Sequence, residues 1–295
     1  MPLKVKNGST ALHYAAASGE TDCCSLLVNA GAGVNVSNKY GSTPLIKAAY
    51  KGFHEVCLVL LNKGADVNHQ NENKRTPLSY AAQFGHSSTC MCLIEAGADV
   101  NVADKDGDSP LHAHLAYRYK DPTLEMVTCL INKGASVTSQ NKNENTPLHE
   151  YLIRTPNPTS EIVNCLIKDN AILASQNKDG NTPLHAHLAR RYKDPTLEMV
   201  TCLINKGASV TSQNKEGKTP ESIVETNMYI TKKGKNFTGE LLVPAEIRAR
   251  GKQAIKIYKE ELKTGSMSVV NSRCMFLGKE GAGKTSCVKA MVGER

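Results

Sequence analysis

Thr146-Pro147-Leu148-His149 is one statement of a phrase that recurs through most of the chain: Thr10-Ala11-Leu12-His13, Thr43-Pro44-Leu45, Thr76-Pro77-Leu78, Ser109-Pro110-Leu111-His112, Thr182-Pro183-Leu184-His185 and Thr219-Pro220. The first three steps are each 33 residues and the next three are 37, 36 and 37. A period of that length marks a repeat architecture with one supersecondary unit per period. Within a unit, Thr or Ser is placed to cap a helix. Pro takes the first helical position, where no intrahelical N–H is lost, and Leu with the Ala-Ala pair after it faces inward. A second helix over 55–62 carries Val56, Leu60 and Leu61 at helical spacing and stops at Lys63-Gly64. Segments such as Asp66-Val67-Asn68 and Asn177-Lys178-Asp179-Gly180 are turn chemistry, read as projecting hairpin fingers. No single unit can bury its apolar faces, so neighbours must stack into one continuous core.

Glycine keeps the same period, with Gly19, Gly52 and Gly85 between the helices and Gly31-Ala32, Gly64-Ala65, Gly97-Ala98, Gly134-Ala135 and Gly207-Ala208 after them. With the T-P-L-H-x-A pattern, residues 6–225 resemble ankyrin repeats. The resemblance implies an all-α ankyrin-repeat solenoid of about seven repeats, each a helix-turn-helix plus a hairpin finger. It also implies a protein–protein interaction module, whose partner on finger and inner-helix side chains is an unidentified protein. For His13, His112, His149 and His185, at the fourth position of the phrase, it implies hydrogen bonds that tie adjacent loops together.

Composition points to a soluble, cytoplasmic chain. No apolar run approaches the roughly 20 residues that span a bilayer, and the N-terminus has no apolar leader segment. Of the ten cysteines, Cys92, Cys129, Cys165 and Cys202 occupy one column, just before a Leu-Ile pair, and are expected to be small buried thiols. Disulfides or a zinc site would need an oxidising compartment or paired short spacings. Residues 1–225 hold 22 Lys plus Arg against 22 Asp plus Glu, whereas 226–295 hold 14 against 6, so the whole excess of +8 sits in the tail. The short basic run Lys232-Lys233-Gly234-Lys235 lacks interleaved aromatics, which argues against nucleic acid and for a solvated linker.

Two of the repeats are near copies. Leu111 to Ala116 and Tyr119 to Gly134 return 73 residues later, from Leu184 and Tyr192. Each copy carries four extra residues between its helices. Asp121-Pro122 and Asp194-Pro195 are expected to restart the second helix as cap and first position, the insert lengthening the first helix. The inserted bases Arg118, Lys120, Arg190, Arg191 and Lys193 read as a solvated loop before they read as an acidic-partner site. His112 with His114, and His185 with His187, lie two apart on a helix. They therefore point about 200° apart and cannot share a metal ion within one repeat.

The sharpest chemical motif lies near the other end. Cys274-Met275-Phe276-Leu277 reads as a buried strand, Gly278-Lys279-Glu280-Gly281-Ala282-Gly283-Lys284-Thr285 as a phosphate loop of the form G-x-x-x-x-G-K-T, and Ser286 to Val292 as the helix after it. Gly278, Gly281 and Gly283 let backbone N–H groups wrap a phosphate, Lys284 reaches the β- and γ-phosphates, and the Thr285 hydroxyl, followed by Ser286, is a ligand for Mg²⁺. A basic amphipathic helix over 245–263 leads into the strand. With Phe276-Leu277-Gly278 and Gly283-Lys284-Thr285-Ser286 it resembles the opening of the Roc (Ras-of-complex) GTPase domain of ROCO proteins. Rivals are a NACHT-type ATPase and the deviant Walker A ATPases, whose second lysine Lys279 would match although Glu280 stands where they have Gly.

The expected organisation is therefore an ankyrin-repeat domain over 6–225, a basic linker and helix over 226–268, and an incomplete α/β P-loop segment over 269–295. The chain stops at Arg295, ten residues past Thr285, before a second Mg²⁺-binding aspartate, a switch segment or a base-selecting motif. It is expected to be a fragment or an early-terminated product, with no enzyme activity and no cofactor as it stands. In a completed domain, GTP or ATP with Mg²⁺ is expected. The alternative function is a nucleotide-dependent switch enzyme, Roc GTPase or NACHT ATPase, regulated by its repeats.

Overall fold

The structure, a computed structural model, describes residues 7–117, 121–189, 197–226, 267–270 and 273–276. It divides into two compact units, 1–157 and 158–295.

In the first unit the repeated phrase begins helices α1 (Ala11–Ser18), α3 (Pro44–Lys51), α5 (Pro77–Gln83), α7 (Pro110–Leu115) and α9 (Pro147–Arg154). The second helices are α2 (Thr21–Asn29), α4 (His54–Asn62), α6 (Ser87–Glu95) and α8 (Leu124–Asn132). Capping follows the sequence reading: the Thr43, Thr76, Ser109 and Thr146 hydroxyls accept the amides of Ile46, Ser79, His112 and His149 at 3.2–3.4 Å. First helices pack against first helices in chain order, and α2, α4 and α6 do the same, so two helix layers enclose the core. From the first layer come Leu12, Leu45, Leu78, Leu111 and Leu148, at most 1% exposed. Burying each is worth about 1.5–3 kcal/mol.

The second layer corrects one expectation. Among the cysteines expected to be buried, Cys92 is, but Cys129, Cys165 and Cys202 are half-buried. The fully buried column of the first unit lies two residues earlier, at Cys24, Cys57, Cys90 and Val127; Val163 and Val200, at the same repeat position in the second unit, are also buried. Burial pushes the Cys24 thiol up to about 11 and Cys57 to about 12, so neither forms a reactive thiolate near neutrality.

Between the layers, Gly19 and Gly52 end their helices in left-handed backbone (φ 80° and 79°). A second constraint acts at the same positions. A Cβ at Gly19 would lie 2.9 Å from the Phe53 ring, and one at Gly52 would lie 2.5 Å from His86, because a ring of the next repeat sits directly over the glycine.

The inserted repeat also departs from expectation. The insert does not lengthen the first helix: α7 has six residues where α3 has eight. Thr123, not Asp121, caps α8, its hydroxyl accepting the Met126 amide at 3.4 Å. The Thr123 amide is itself held by His114 Nε2 at 3.3 Å, which fixes where the second helix starts. Asp194-Pro195 and the inserted bases lie outside the described residues.

The fingers are turns without assigned strands. In each, the first amide donates to the carbonyl four residues on, as Asn38 N–H does to Ser42 O at 3.0 Å, and the fourth residue takes positive φ.

In the second unit, α10 (Ser160–Leu166) is followed by the short α11 (Asn170–Ala174). Here Asn170 replaces the glycine that elsewhere ends the second helix. Without that left-handed exit the chain starts a new turn, capped by Asp169 Oδ1 on the Ile172 amide at 3.3 Å. Next come α12 (Pro183–Leu188), α13 (Leu197–Asn205) and α14 (Pro220–Thr226), with α13 and α14 both against α12. Strands β1 (Met267–Val270) and β2 (Arg273–Phe276) pair antiparallel, Met267 opposite Phe276 and Val270 opposite Arg273. The expected helix over 245–263 lies outside the described residues.

Candidate functional site

Strand β2 overlaps the strand expected over 274–277 at Cys274, Met275 and Phe276, while Leu277 and the burial expected of that strand lie outside the described residues. Its antiparallel pairing with β1 is not signalled by the motif, which supplies no neighbour for it. Gly278, Gly281, Gly283, Lys284, Thr285 and Ser286 all lie outside the described residues. The surface that can be built from side chains upward belongs to the repeats.

That surface is held in register by three ladders. In the first, His13 Nδ1 accepts the Thr10 amide at 3.1 Å and Nε2 donates to Ser42 O at 2.9 Å. His112 does the same between Ser109 and Asn145 O, and in the second unit His185 between Thr182 and Lys218 O. The tie from one phrase to the next loop, implied by the resemblance, is thus present at these three histidines. It requires the neutral ring, and burial keeps His112 and His185 below the ordinary histidine range. His114 is engaged separately, to Ala82 O at 2.9 Å and to the Thr123 amide.

The second ladder was missed in the sequence. Asn38, Asn71, Asp104, Asn141, Asn177 and Asn214 keep the repeat spacing. Each turns its Oδ1 onto two backbone amides, two and four residues ahead, at 2.8–3.1 Å. This closes the base of every finger, and the signal was available as an Asn or Asp column four residues before the phrase's preceding residue. The third ladder is main chain: Lys39, Glu72, Lys105 and Lys142 amides donate to Asn7, Tyr40, Asn73 and Asp106 carbonyls at 2.9–3.2 Å, finger to finger.

One buried charged cluster rests on this scaffold. Arg75 Nε donates to Asp104 at 2.9 Å, and Arg154 Nε to the buried Glu150 carboxylate at 2.6 Å. Burial would push the Glu150 carboxyl up, but Arg154 and the Asn145 and Asn141 amides outweigh it and hold it below the usual range. Burial raises Asp108 nearby. Both carboxylate oxygens of Asp104 and of Glu150 accept from protein donors, so the cluster reads as structural.

Beside the fingers, the first helices carry an aromatic run. Tyr50 meets Tyr80 edge-on at 5.7 Å and Phe84 at 4.6 Å, and Phe84 meets Tyr117 at 5.0 Å. Arg75 lies over Tyr80 and Lys51 over Tyr50, each 5.6 Å from the ring centre.

A family model for ankyrin repeats matches in three copies, over residues 2–71, 63–141 and 113–214. The chain belongs to the ankyrin-repeat family. An ankyrin-repeat chain is a protein–protein interaction module, and the rigid ladders with an aromatic row beside them are the kind of surface such a module presents. No curated protein matches the chain significantly. Among the described residues, no helix is long and apolar enough to cross a membrane and no cluster of three His, Cys, Asp or Glu side chains could hold a metal ion.

Proposed function

We propose that the ankyrin repeats over 6–225 are a cytoplasmic scaffold that recruits a protein partner to a Roc-type GTP-binding domain opening at 269–295, through a linker over 226–268. The observation that carries the scaffold is the row of rings on and just after the first helices, Tyr14, Tyr50, Tyr80, Phe84 and Tyr117, with the Tyr80 hydroxyl accepting from Asn71 of the asparagine ladder. A photo-crosslinking side chain at the position of Tyr50 or Tyr80 tests it. A discrete protein adduct is expected there and not from Glu55 on the second-helix layer; equal labelling from both layers would refute it.

The nucleotide part rests on the motif Gly278 to Thr285 after a strand. Gly278, Gly281 and Gly283 would supply backbone N–H groups to the phosphates, Lys284 a cation, Thr285 and Ser286 hydroxyls, Thr285 toward Mg²⁺. The nucleotide when bound would supply a hydrolysable γ-phosphate, and these residues would bind and orient it. In a longer protein that completes the domain, labelled GTP should bind in preference to ATP, and Lys284→Ala should remove most of that affinity. Equal binding by wild type and variant would remove the site, while adenine preference would favour the NACHT-type reading, a nucleotide-driven switch regulated by the repeats.

A further inference from the structure

Helices α1, α3, α5 and α7 contain no aspartate or glutamate, whereas each second helix α2, α4, α6 and α8 contains one, at Asp22, Glu55, Glu95 and Glu125. The first-helix row carries cations instead, Lys47 and Lys51 on α3. Lys47 is aligned in the repeat with Tyr14 and Tyr80, and Tyr50 and Lys51 lie one helical turn on, so all share one face. Tyr14 is 49% exposed and Tyr50 41%, large for aromatic rings on helices packed side by side. Arg75 adds a guanidinium at the finger edge, its charge matched by Asp104.

An apolar row without carboxylates, seeded with ammonium groups, selects the sign of what covers it. We propose that the first-helix row Tyr14–Lys47–Tyr50–Lys51–Tyr80–Phe84 binds an acidic peptide segment of a partner protein, its carboxylates on the lysines and its apolar side chains on the rings. The inference rests on the reading of this row as the recognition face. Nucleic acid is also anionic and stacks on tyrosine, but the fingers beside the row alternate Glu72 and Asp106 with Lys39, Lys74 and Lys105, so they offer short local positive sites and no continuous basic track for a phosphate backbone. Residues 1–225 hold equal numbers of acidic and basic side chains, so the attraction is local to the row.

A phage library of random dodecapeptides panned on the full chain decides it. Enriched peptides should combine Asp or Glu with Phe, Trp or Leu. A synthetic member measured by fluorescence anisotropy should lose at least about tenfold in affinity with Tyr50→Ala and with Lys51→Glu, and weaken with salt. Leu26→Ala, on the exposed second-helix layer, should leave it unchanged, and circular dichroism confirms that the variants fold. Basic or neutral peptides that still depend on Tyr50 would overturn the acidic class and leave the row as the recognition face. Binding indifferent to Tyr50, no enrichment, or a single-stranded oligonucleotide that binds more tightly would overturn the proposal itself, as would sedimentation showing that a second copy of the chain occupies the row.

Discussion

The pair α3/α4 and the pair α7/α8 start from the same capped phrase, Thr43-Pro44-Leu45 and Ser109-Pro110-Leu111, yet the first helix runs eight residues in one and six in the other. The difference lies at the exit. Helix α3 leaves through Gly52 in left-handed backbone, with His86 of the next repeat seated over the missing side chain. Helix α7 has no such glycine; it stops at Ala116 in right-handed backbone, and the path to α8 is held by His114, which spans from Ala82 O to the Thr123 amide. His114 occupies the position of Ala48 and Ala81, so a polar ring replaces a methyl where the inserted residues need an anchor. The start of a repeat is local chemistry, and its exit is negotiated with the neighbouring repeat.

If the two helix starts are equivalent, Leu45→Ala and Leu111→Ala should each destabilise by about 2–5 kcal/mol, as fully buried leucines do, and within about 1 kcal/mol of each other. Chemical denaturation of both variants measures this; a loss at Leu111 no larger than that of the exposed Lys142→Ala would break the comparison at its base.

The exits should respond differently. Gly52→Ala combines a left-handed φ with a Cβ 2.5 Å from the His86 ring, and an expected cost of about 2–3 kcal/mol. Adding His86→Ala should recover part of it in a double-mutant cycle, because the ring is what the new methyl meets; strict additivity would show that backbone strain alone is responsible.

Acid sharpens the contrast further. Burial depresses His112 below its ordinary 6.5, so the folded chain binds fewer protons than the unfolded one, and stability should fall as pH drops through and below about 6.5. Repeats two and three have Ile46 and Ser79 at this position and lack the ring. Asp108, raised by burial, acts in the opposite sense but in the carboxylate range. His112→Ser should therefore flatten the stability profile between about pH 6.5 and 5, read from thermal melts; an unchanged slope would mean that the ring is protonated in place.

The smallest effect is at a finger tip. The finger before α3 turns on Gly41 at φ 68°, while the finger after α8 turns on Glu144 at φ 57°. Glu144→Gly should raise stability by about 0.5–1 kcal/mol, and a loss would show that the glutamate side chain contributes to the turn.

Much of this was legible before any coordinates. The phrase located the start of the first helices, the glycines after the second helices marked their ends, and the resemblance assigned His13, His112 and His185 their loop-to-loop role. Other features were not. The half-buried Cys129 and the buried Cys90 belong to columns of the repeat two residues apart, and composition cannot say which of two cysteine columns faces inward. The broken helix at Asp169-Asn170 showed only as a missing glycine. The phosphate loop remains a sequence argument carried by Gly278 to Thr285.

By itself the sequence determined the period and the sign of the charge in the tail, which are properties of residue order and count, and the capped start of the first helices, which depends on contacts within three or four residues. Tertiary structure alone decided the depth of the repeat cysteines, the start of α8 at Thr123 and the exposure of the Tyr14 and Tyr50 rings. Those depend on which residue of one repeat lies against which residue of the next, some 33 positions away, and packing between helices, not propensity within one, sets that match.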